Sequence, residues 1–165
     1  MVSLLNDDNK PVYVDRGRLA QITTPKQTLT WCPLPHARLM DAVEGQLEKR
    51  GCRIHHSNCL LTHAGDRFFG TVTISDRSNL GYRRMIGARN SHDKSLAAGL
   101  VAGARVTVCA NGWFFGDEVA LSRKHTSRLF EDLDQRIEEG FSRIFDEWER
   151  NDRRVVHYRE YELDD

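Results

Sequence analysis

The chain has 165 residues, of which 39% are hydrophobic and 29% charged, with 24 basic and 24 acidic side chains. This length suits one domain with a proper core and leaves little room for two. The sequence contains no apolar run of the ~18 residues that a membrane-spanning helix needs. Its first residues have neither the basic nor the apolar region of a secretory signal. We therefore expect a cytoplasmic protein without a membrane partner.

Charge is segregated along the chain although the total is zero. Residues 1–76 carry nine basic and eight acidic side chains, residues 77–128 nine and three, and residues 129–165 six and thirteen. A local field of one sign attracts a partner of the other sign. The basic centre therefore predicts a polyanion or an acidic protein as partner. The acidic C-terminal part either competes with that partner or pairs with the basic centre.

The four cysteines are scattered and form no CxxC pair. In a cytosolic protein such residues are typically reduced and buried. Their spacing to the histidines does not match a zinc site, and the sequence has no HExxH, no phosphate-binding glycine loop and no GxSxG. We therefore expect no metal and no cofactor. The cysteines are Cys32, Cys52, Cys59 and Cys109.

The first half of the chain predicts a helix followed by a hairpin. Residues 1–30 read as an N-terminal arm or an edge strand. Apolar residues at helical spacing predict a helix over residues 36–50, which Gly51 ends. Residues 52–62 and 67–75 predict an antiparallel hairpin, and residues 82–87 a third strand.

The second half predicts further strands and a long helix. A polar turn over residues 90–95 is expected to cap a helix over residues 94–101. Strands are expected over residues 105–109, 113–115 and 119–121. A 3–4 spacing of apolar residues predicts a helix over residues 126–150.

These elements predict an α+β fold, an antiparallel sheet with packed helices and a long C-terminal helix. Residues 31–150 form its single domain. A helix of ~25 residues spans about 37 Å, so it either lies across the sheet or packs partly against another chain. The second option would make the protein a homo-oligomer. Residues 151–165 are predicted to form an acidic tail. This tail either adds a strand at residues 155–161 or is disordered.

Two polar stretches are the candidate site. Residues 89–95 are seven consecutive polar or charged residues, with phosphate donors, a candidate base in His92 and a carboxylate in Asp93. Residues 122–126 place three consecutive cations at the start of a predicted helix, where they oppose its dipole. The alternative is structural. Residues 89–95 would then be a solvated turn that caps a helix, because Asn, Ser and Asp are favoured at caps, and residues 122–126 would be a charged helix start.

Several segments resemble the phage- and plasmid-like proteins known as domain of unknown function 932. The resemblance is carried by residues 30–36, 86–95, 105–111 and 123–126, in that order, and covers roughly residues 18–150. Ala110 departs from the family pattern, where an aspartate is common, which weakens a metal site at that turn. The resemblance implies an origin in phages, plasmids or integrative elements. It implies no established activity, so the choice between functions rests on the chemistry of the residues themselves.

Three functions remain open. The first is single-stranded DNA binding or annealing in recombination, for which the order of elements is similar to that of known single-strand annealing proteins. The second is an inhibitor of a host defence system, acting on a host protein through its acidic helix. The third is a hydrolase or nuclease with His92 as base and Asp93 as its partner. Of these functions we rank binding first, inhibition second and hydrolysis third, so we expect a binding protein and not an enzyme.

The nucleic-acid hypothesis assigns specific residues. Tyr82 or Trp113 would stack on bases, although aromatic residues in strands are more often core. The backbone contacts would come from Arg83, Arg84, Arg89, Asn90, Ser91, Lys94, Ser95, Arg123, Lys124, His125 and Arg128.

Overall fold

A computed structural model describes residues 10–75, 83–104, 107–108, 114–116 and 118–161, with the backbone alone at residues 107–108 and 114–115. One antiparallel sheet of six strands has the order β1-β2-β3-β4-β5-β8. Its strands are β1 (Val12–Val14), β2 (Ile54–Thr62), β3 (Arg67–Ile74), β4 (Arg84–Ser91), β5 (Ala98–Gly103) and β8 (Glu118–Arg123). A separate ribbon pairs β6 (Thr107–Val108) with β7 (Phe114–Phe115).

In the described part of the chain the sheet is accompanied by the α-helices α1 (Arg16–Ala20), α2 (His36–Lys49), α3 (Ser127–Glu131) and α4 (Leu133–Tyr161), and by a short 3-10 helix at His63–Gly65. They confirm the predicted α+β class, the helix after residue 36 and the long C-terminal helix. The first strand β1 lies at one edge of the sheet, next to β2. None of the described helices is long and apolar enough to cross a membrane.

Helices α2 and α4 bury their apolar faces on one side of the sheet. Leu39 and Val43 of α2, with Ile137 and Phe141 of α4, are fully buried in the same core cluster. The close packing depends on glycine at Gly70 of β3. A Cβ atom there would come within 2.6 Å of the Met40 sulfur.

The hairpin of β2 and β3 forms as predicted, but the helix predicted over residues 94–101 is wrong. Strand β4 continues through Asn90 to Ser91, which pairs with Arg67 of β3. Residues 98–103 then form β5, with every residue buried between β4 and β8. A central strand covered on both faces is a continuous apolar run, so it lacks the alternation that distinguishes a strand from a buried helix.

The C-terminal segment also differs from prediction. The expected strand or disorder at residues 155–161 is wrong, because α4 runs without interruption to Tyr161. Ion pairs between neighbouring turns, such as Arg153 with Glu149 at 2.6 Å, support this exposed part of the helix. The predicted helix over residues 126–150 is in fact two helices, separated at Asp132. The predicted turn at residues 110–112 and the last residues of the tail lie outside the described residues.

Candidate functional site

The two polar stretches meet at one end of the sheet. Arg89 pairs with Gly99 across β4 and β5, and Ala98 pairs with Arg123 across β5 and β8. The segment before α2 crosses the same end, where the backbone N–H of Cys32 donates to the carbonyl of His125 at 3.1 Å. Residues 31–36, 90–97 and 122–126 are therefore neighbours in space.

Beneath this end lies a buried polar cluster, which we call the histidine cluster: His36, Asn90, His92 and His125. Each side chain is at most 5% exposed. The Asn90 amide donates to the carbonyl of Leu34 at 2.6 Å and contacts Nδ1 of His36 at 2.9 Å. Its Oδ1 lies 2.6 Å from Nε2 of His125. Asn90 thus joins three separate segments of the chain.

The partners fix the protonation of each ring. Nε2 of His36 donates to the carbonyl of Gly65 at 2.9 Å, because a carbonyl oxygen can only accept, so Nδ1 is the acceptor for Asn90. Nε2 of His92 likewise donates to the carbonyl of Leu34 at 2.9 Å. The rings of His36 and His92 are stacked with centroids 3.8 Å apart. These contacts require a neutral His36, and they place a proton on Nε2 of His92 and, opposite Oδ1 of Asn90, on Nε2 of His125.

The electrostatics agree with this assignment. Burial, followed by repulsion from His92, lowers the pKa of His36 from 6.5 to about 3. Burial also lowers the pKa of His92 and of His125. Within the described part of the chain, no group of three or more His, Cys, Asp or Glu residues could hold a metal ion. The cluster is a hydrogen-bonded core element and does not present a cation to solvent.

This placement corrects part of the predicted site. Asn90 and Ser91 were expected in an exposed turn, but they belong to β4 and are fully buried. The Ser91 hydroxyl donates to the carbonyl of Leu96 and accepts from its N–H, both at 3.0 Å. His92 and His125, expected to act as a base and as a phosphate contact, are each 5% exposed. These four side chains face protein groups and support the surface from below.

Asp93 anchors the turn that follows β4. Its carboxylate accepts from Arg67 Nε at 2.7 Å, from the Ser95 N–H at 2.9 Å, and from the Ser95 hydroxyl. Burial acts to raise the pKa of Asp93, but the bonds from Ser95 and Arg67 prevail and lower it to about 2. The next residue, Lys94, has a left-handed backbone with φ 65°. Non-glycine residues adopt this conformation uncommonly, and here the hydrogen bonds of Asp93 hold the turn that contains it.

The enforced turn directs Lys94 over an indole ring. The Lys94 ammonium lies 5.0 Å from the centroid of Trp31. Both residues line a cleft of about 380 Å³, which residues 94–97 and 124–126 also border. The cleft therefore has residues of both polar stretches in its lining, together with the ring of Trp31 and the ammonium of Lys94 above it.

A second cleft of about 420 Å³ continues from the first and shares Lys124 and Thr126 with it. Thr126 caps α3, its hydroxyl accepting from the N–H of Leu129 at 3.3 Å. We call the two clefts together the cationic groove. Among the described residues that line it, none is acidic and five are basic. These five are Lys94, Arg123, Lys124, Arg128 and Arg136.

The groove lies within a recognised family domain. The model of the family described as Domain of unknown function (DUF932) matches residues 28–165. The chain belongs to this family. Among curated proteins and among solved structures, no match to the chain was found.

The DUF932 chain does not gather every predicted site residue at the groove. Arg84 begins β4 and Arg83 immediately precedes it, about 23 Å from the other end of the strand at ~3.3 Å per residue. Arg84 forms an ion pair with Asp152 and lies 5.0 Å from the ring of Trp148. Arg89 precedes Asn90 in β4, so its side chain leaves the opposite face of the sheet, where burial lowers its pKa. Tyr82 and Trp113 lie outside the described residues.

Two groove residues were not predicted. Trp31 was assigned to an extended segment, and nothing local in the sequence marked it as a site residue. Arg136 lies one turn into α4 and had no signal beyond its charge. The three consecutive cations were also misplaced. Arg123 ends β8 and Lys124 lies in the loop, so no helix dipole opposes them.

Proposed function

We propose that this DUF932 protein binds single-stranded nucleic acid, with the cationic groove holding the phosphate backbone. The observation that supports this most is the convergence of five basic residues on one concave surface, of which Arg136 is also ion-paired with Asp132 at 3.9 Å. Cations gathered in one groove lower the free energy of a bound polyanion.

A single strand fits this groove better than a duplex. The groove combines cations with the exposed part of an indole ring, and unpaired bases stack on such rings. The phage or plasmid setting implied by the sequence resemblance suggests DNA, with annealing during recombination as the biological role. The proposed binding does not require catalysis.

Binding will weaken steeply with salt if this proposal is right. Five phosphate contacts with a single strand release counterions, so log Kd should rise with log salt with a slope of about 3.5, which is roughly a 100-fold loss of affinity between 50 and 200 mM. Fluorescence anisotropy of labelled dT20 at four salt concentrations measures the slope. A slope near zero, or no binding at 50 mM salt, contradicts the proposal.

Removing two groove cations will reduce both affinity and slope. Lys124 and Arg128 are exposed, so Lys124→Ala with Arg128→Ala leaves the core intact. We expect the slope to fall by about 1.4, because two counterion-releasing contacts are lost. The matched control is Arg150→Ala with Arg153→Ala, two exposed cations about 20 Å farther along α4 than Arg136. Equal losses in both variants would show that only net charge matters.

The other two functions have less support. His92 as a general base would need a free ring nitrogen at the surface, whereas it is 5% exposed and donates to Leu34. An inhibitor acting on a host protein would use the acidic part of α4, where Glu138 and Glu139 are exposed. The charge reversals Glu138→Lys and Glu139→Lys would then abolish partner capture and leave dT20 binding intact.

The homo-oligomer also remains a proposal. The last turns of α4 expose Val156, Tyr158 and Tyr161 at 47%, 70% and 68%. Aromatic and β-branched side chains at such exposure are typical of contact surfaces. Sedimentation of the wild type and of Tyr158→Ala would detect an assembly that uses this end of the helix.

A further inference from the structure

We infer that Trp31 is the base-stacking platform of the groove, and that Lys94 covers its ring until an unpaired base replaces it. This inference rests on the proposed function and adds to it the part of the ligand that is recognised, an unstacked nucleobase. The phosphate contacts alone would not predict a stacking role for Trp31 or its exchange of Lys94 for a base.

The position of Trp31 suits a platform. Its backbone is fixed on both sides, since its carbonyl accepts from the Thr28 N–H at 2.9 Å and its own N–H donates to the Thr28 hydroxyl at 3.2 Å. The next residue bonds to His125. The ring is half-buried and forms part of the cleft wall. A rigid ring with an accessible part loses little conformational freedom on stacking.

The indole N–H of Trp31 is buried and has no hydrogen-bond partner within the described part of the chain. Buried donors are nearly always paired, because an unpaired donor costs its full desolvation free energy. Packing within the described chain therefore leaves this donor unpaired, while the ring itself borders the cleft and carries the Lys94 ammonium over it.

Lys94 is placed to exchange with a base. Its Cα is fixed by the Asp93 turn, whereas its four-carbon side chain is exposed and has several rotatable bonds. The ammonium lies over the Trp31 ring, as expected for a cation–π contact. When a base takes that position, the ammonium can move to the adjoining phosphate. The base then stacks on the Trp31 ring, and the adjoining phosphate pairs with the Lys94 ammonium in the same step.

This exchange defines the ligand class. A duplex keeps both faces of each base stacked within the helix, so it cannot offer a base to Trp31 without unstacking. Duplex DNA and a strand without bases can contact only the cations. The inference therefore predicts that affinity depends on the presence of bases, beyond the number of phosphates.

The experiment compares labelled dT20 with an abasic 20-mer of the same charge, binding each to the full chain at 100 mM salt. Alanine in place of a stacking aromatic costs about 5- to 100-fold in affinity. We therefore expect the wild type to prefer dT20 by about that factor. Trp31→Ala should lose the preference yet bind the abasic strand as before, and Trp31→Phe should retain most of it. Tyr13→Ala is the aromatic control, an exposed residue on β1, three strands from β4.

Fluorescence provides a second measurement. Stacking should quench the emission that Trp31 contributes, so dT20 should quench the wild type more than Trp31→Phe, and the abasic strand should quench neither. Near-UV circular dichroism checks that Trp31→Ala is folded. Equal affinity of the wild type for both strands overturns the stacking role and leaves the proposed function in place. Equal weakening of both strands by Trp31→Ala also overturns it, because the indole then only supports the groove. Failure of the wild type to bind either strand removes the proposed function itself.

Discussion

Asn90→Ala will destabilise the folded protein by about 3–4 kcal/mol, because the Nε2–H of His125 and the acceptor nitrogen of His36 lose their partner inside the core. Each buried polar group left without a partner costs about 1–3 kcal/mol. Leu34 is less affected, since its carbonyl still accepts from His92. Urea unfolding at pH 7.5 measures the change.

The control for this substitution is Asn58→Ala on β2, a half-buried asparagine outside the histidine cluster. A loss below about 0.5 kcal/mol is expected there, as for most substitutions away from a buried network. If Asn90→Ala were as mild as Asn58→Ala, the cluster would not be the closed network described above. The groove would then lack the support that we assign to it.

The same substitution tests how the core supports the groove. His125 follows directly after Lys124, and its ring is fixed by Asn90. Without that bond, the loop carrying Lys124 loses its buried anchor. We expect dT20 binding by folded Asn90→Ala to fall although no cation has been removed. The salt slope should change little, because the number of phosphate contacts is the same.

Local patterns predicted much of the fold. The helix His36–Lys49 has its apolar residues at helical spacing, and the hairpin has β-branched and aromatic strands around a Gly-containing turn. Such signals act within a few residues and are visible in the sequence. By contrast, Ala98–Gly103 is apolar throughout, and only its pairing with β4 and β8 decides that it is a strand.

The site was predicted in location more than in detail. From the sequence, residues 89–95 and 122–128 were predicted to form one site. The structure places parts of both stretches on one groove. It could not tell that Asn90 and His92 point into the core, because polar residues bury themselves only when distant partners satisfy them. Those partners are the carbonyl of Leu34 and the ring of His36, more than fifty residues away. Trp31 was missed for the same reason. It borders the groove because Lys94 and the loop of His125, both distant in the sequence, pack next to it in the fold.

The stability of the folded protein will also fall steeply between pH 6.5 and 4.5. In the unfolded chain a histidine takes up its proton near pH 6.5, whereas in the fold burial holds the pKa of His36 at about 3. Between those values the unfolded state binds more protons, so acidification favours unfolding. His36 alone contributes a loss of about 1.4 kcal/mol per pH unit, or roughly 3 kcal/mol by pH 4.5.

His92 and His125 act in the same direction, because burial lowers the pKa of both. Hydrogen bonds from Arg38 lower the pKa of Asp134 as well, but carboxylates of this kind lose most of their contribution to stability below pH 4.5. The lowered pKa of Asp93, about 2, means that its contribution is complete above pH 4 and is lost only as the pH falls further. A loss of stability that is already large at pH 5 must therefore come from the histidines.

Urea unfolding at pH 7.5, 6.5, 5.5 and 4.5 measures this dependence, with His36→Gln as the decisive variant. A glutamine amide can still donate towards Gly65 and accept from Asn90, but it cannot take up a proton. His36→Gln should therefore be less stable than the wild type at pH 7.5 and lose stability more slowly on acidification, by about 1.4 kcal/mol per pH unit. His56→Gln, an exposed histidine of β2, should follow the wild-type curve. A wild-type curve that is flat from pH 7.5 to 5 would mean that these rings are not held neutral in the core.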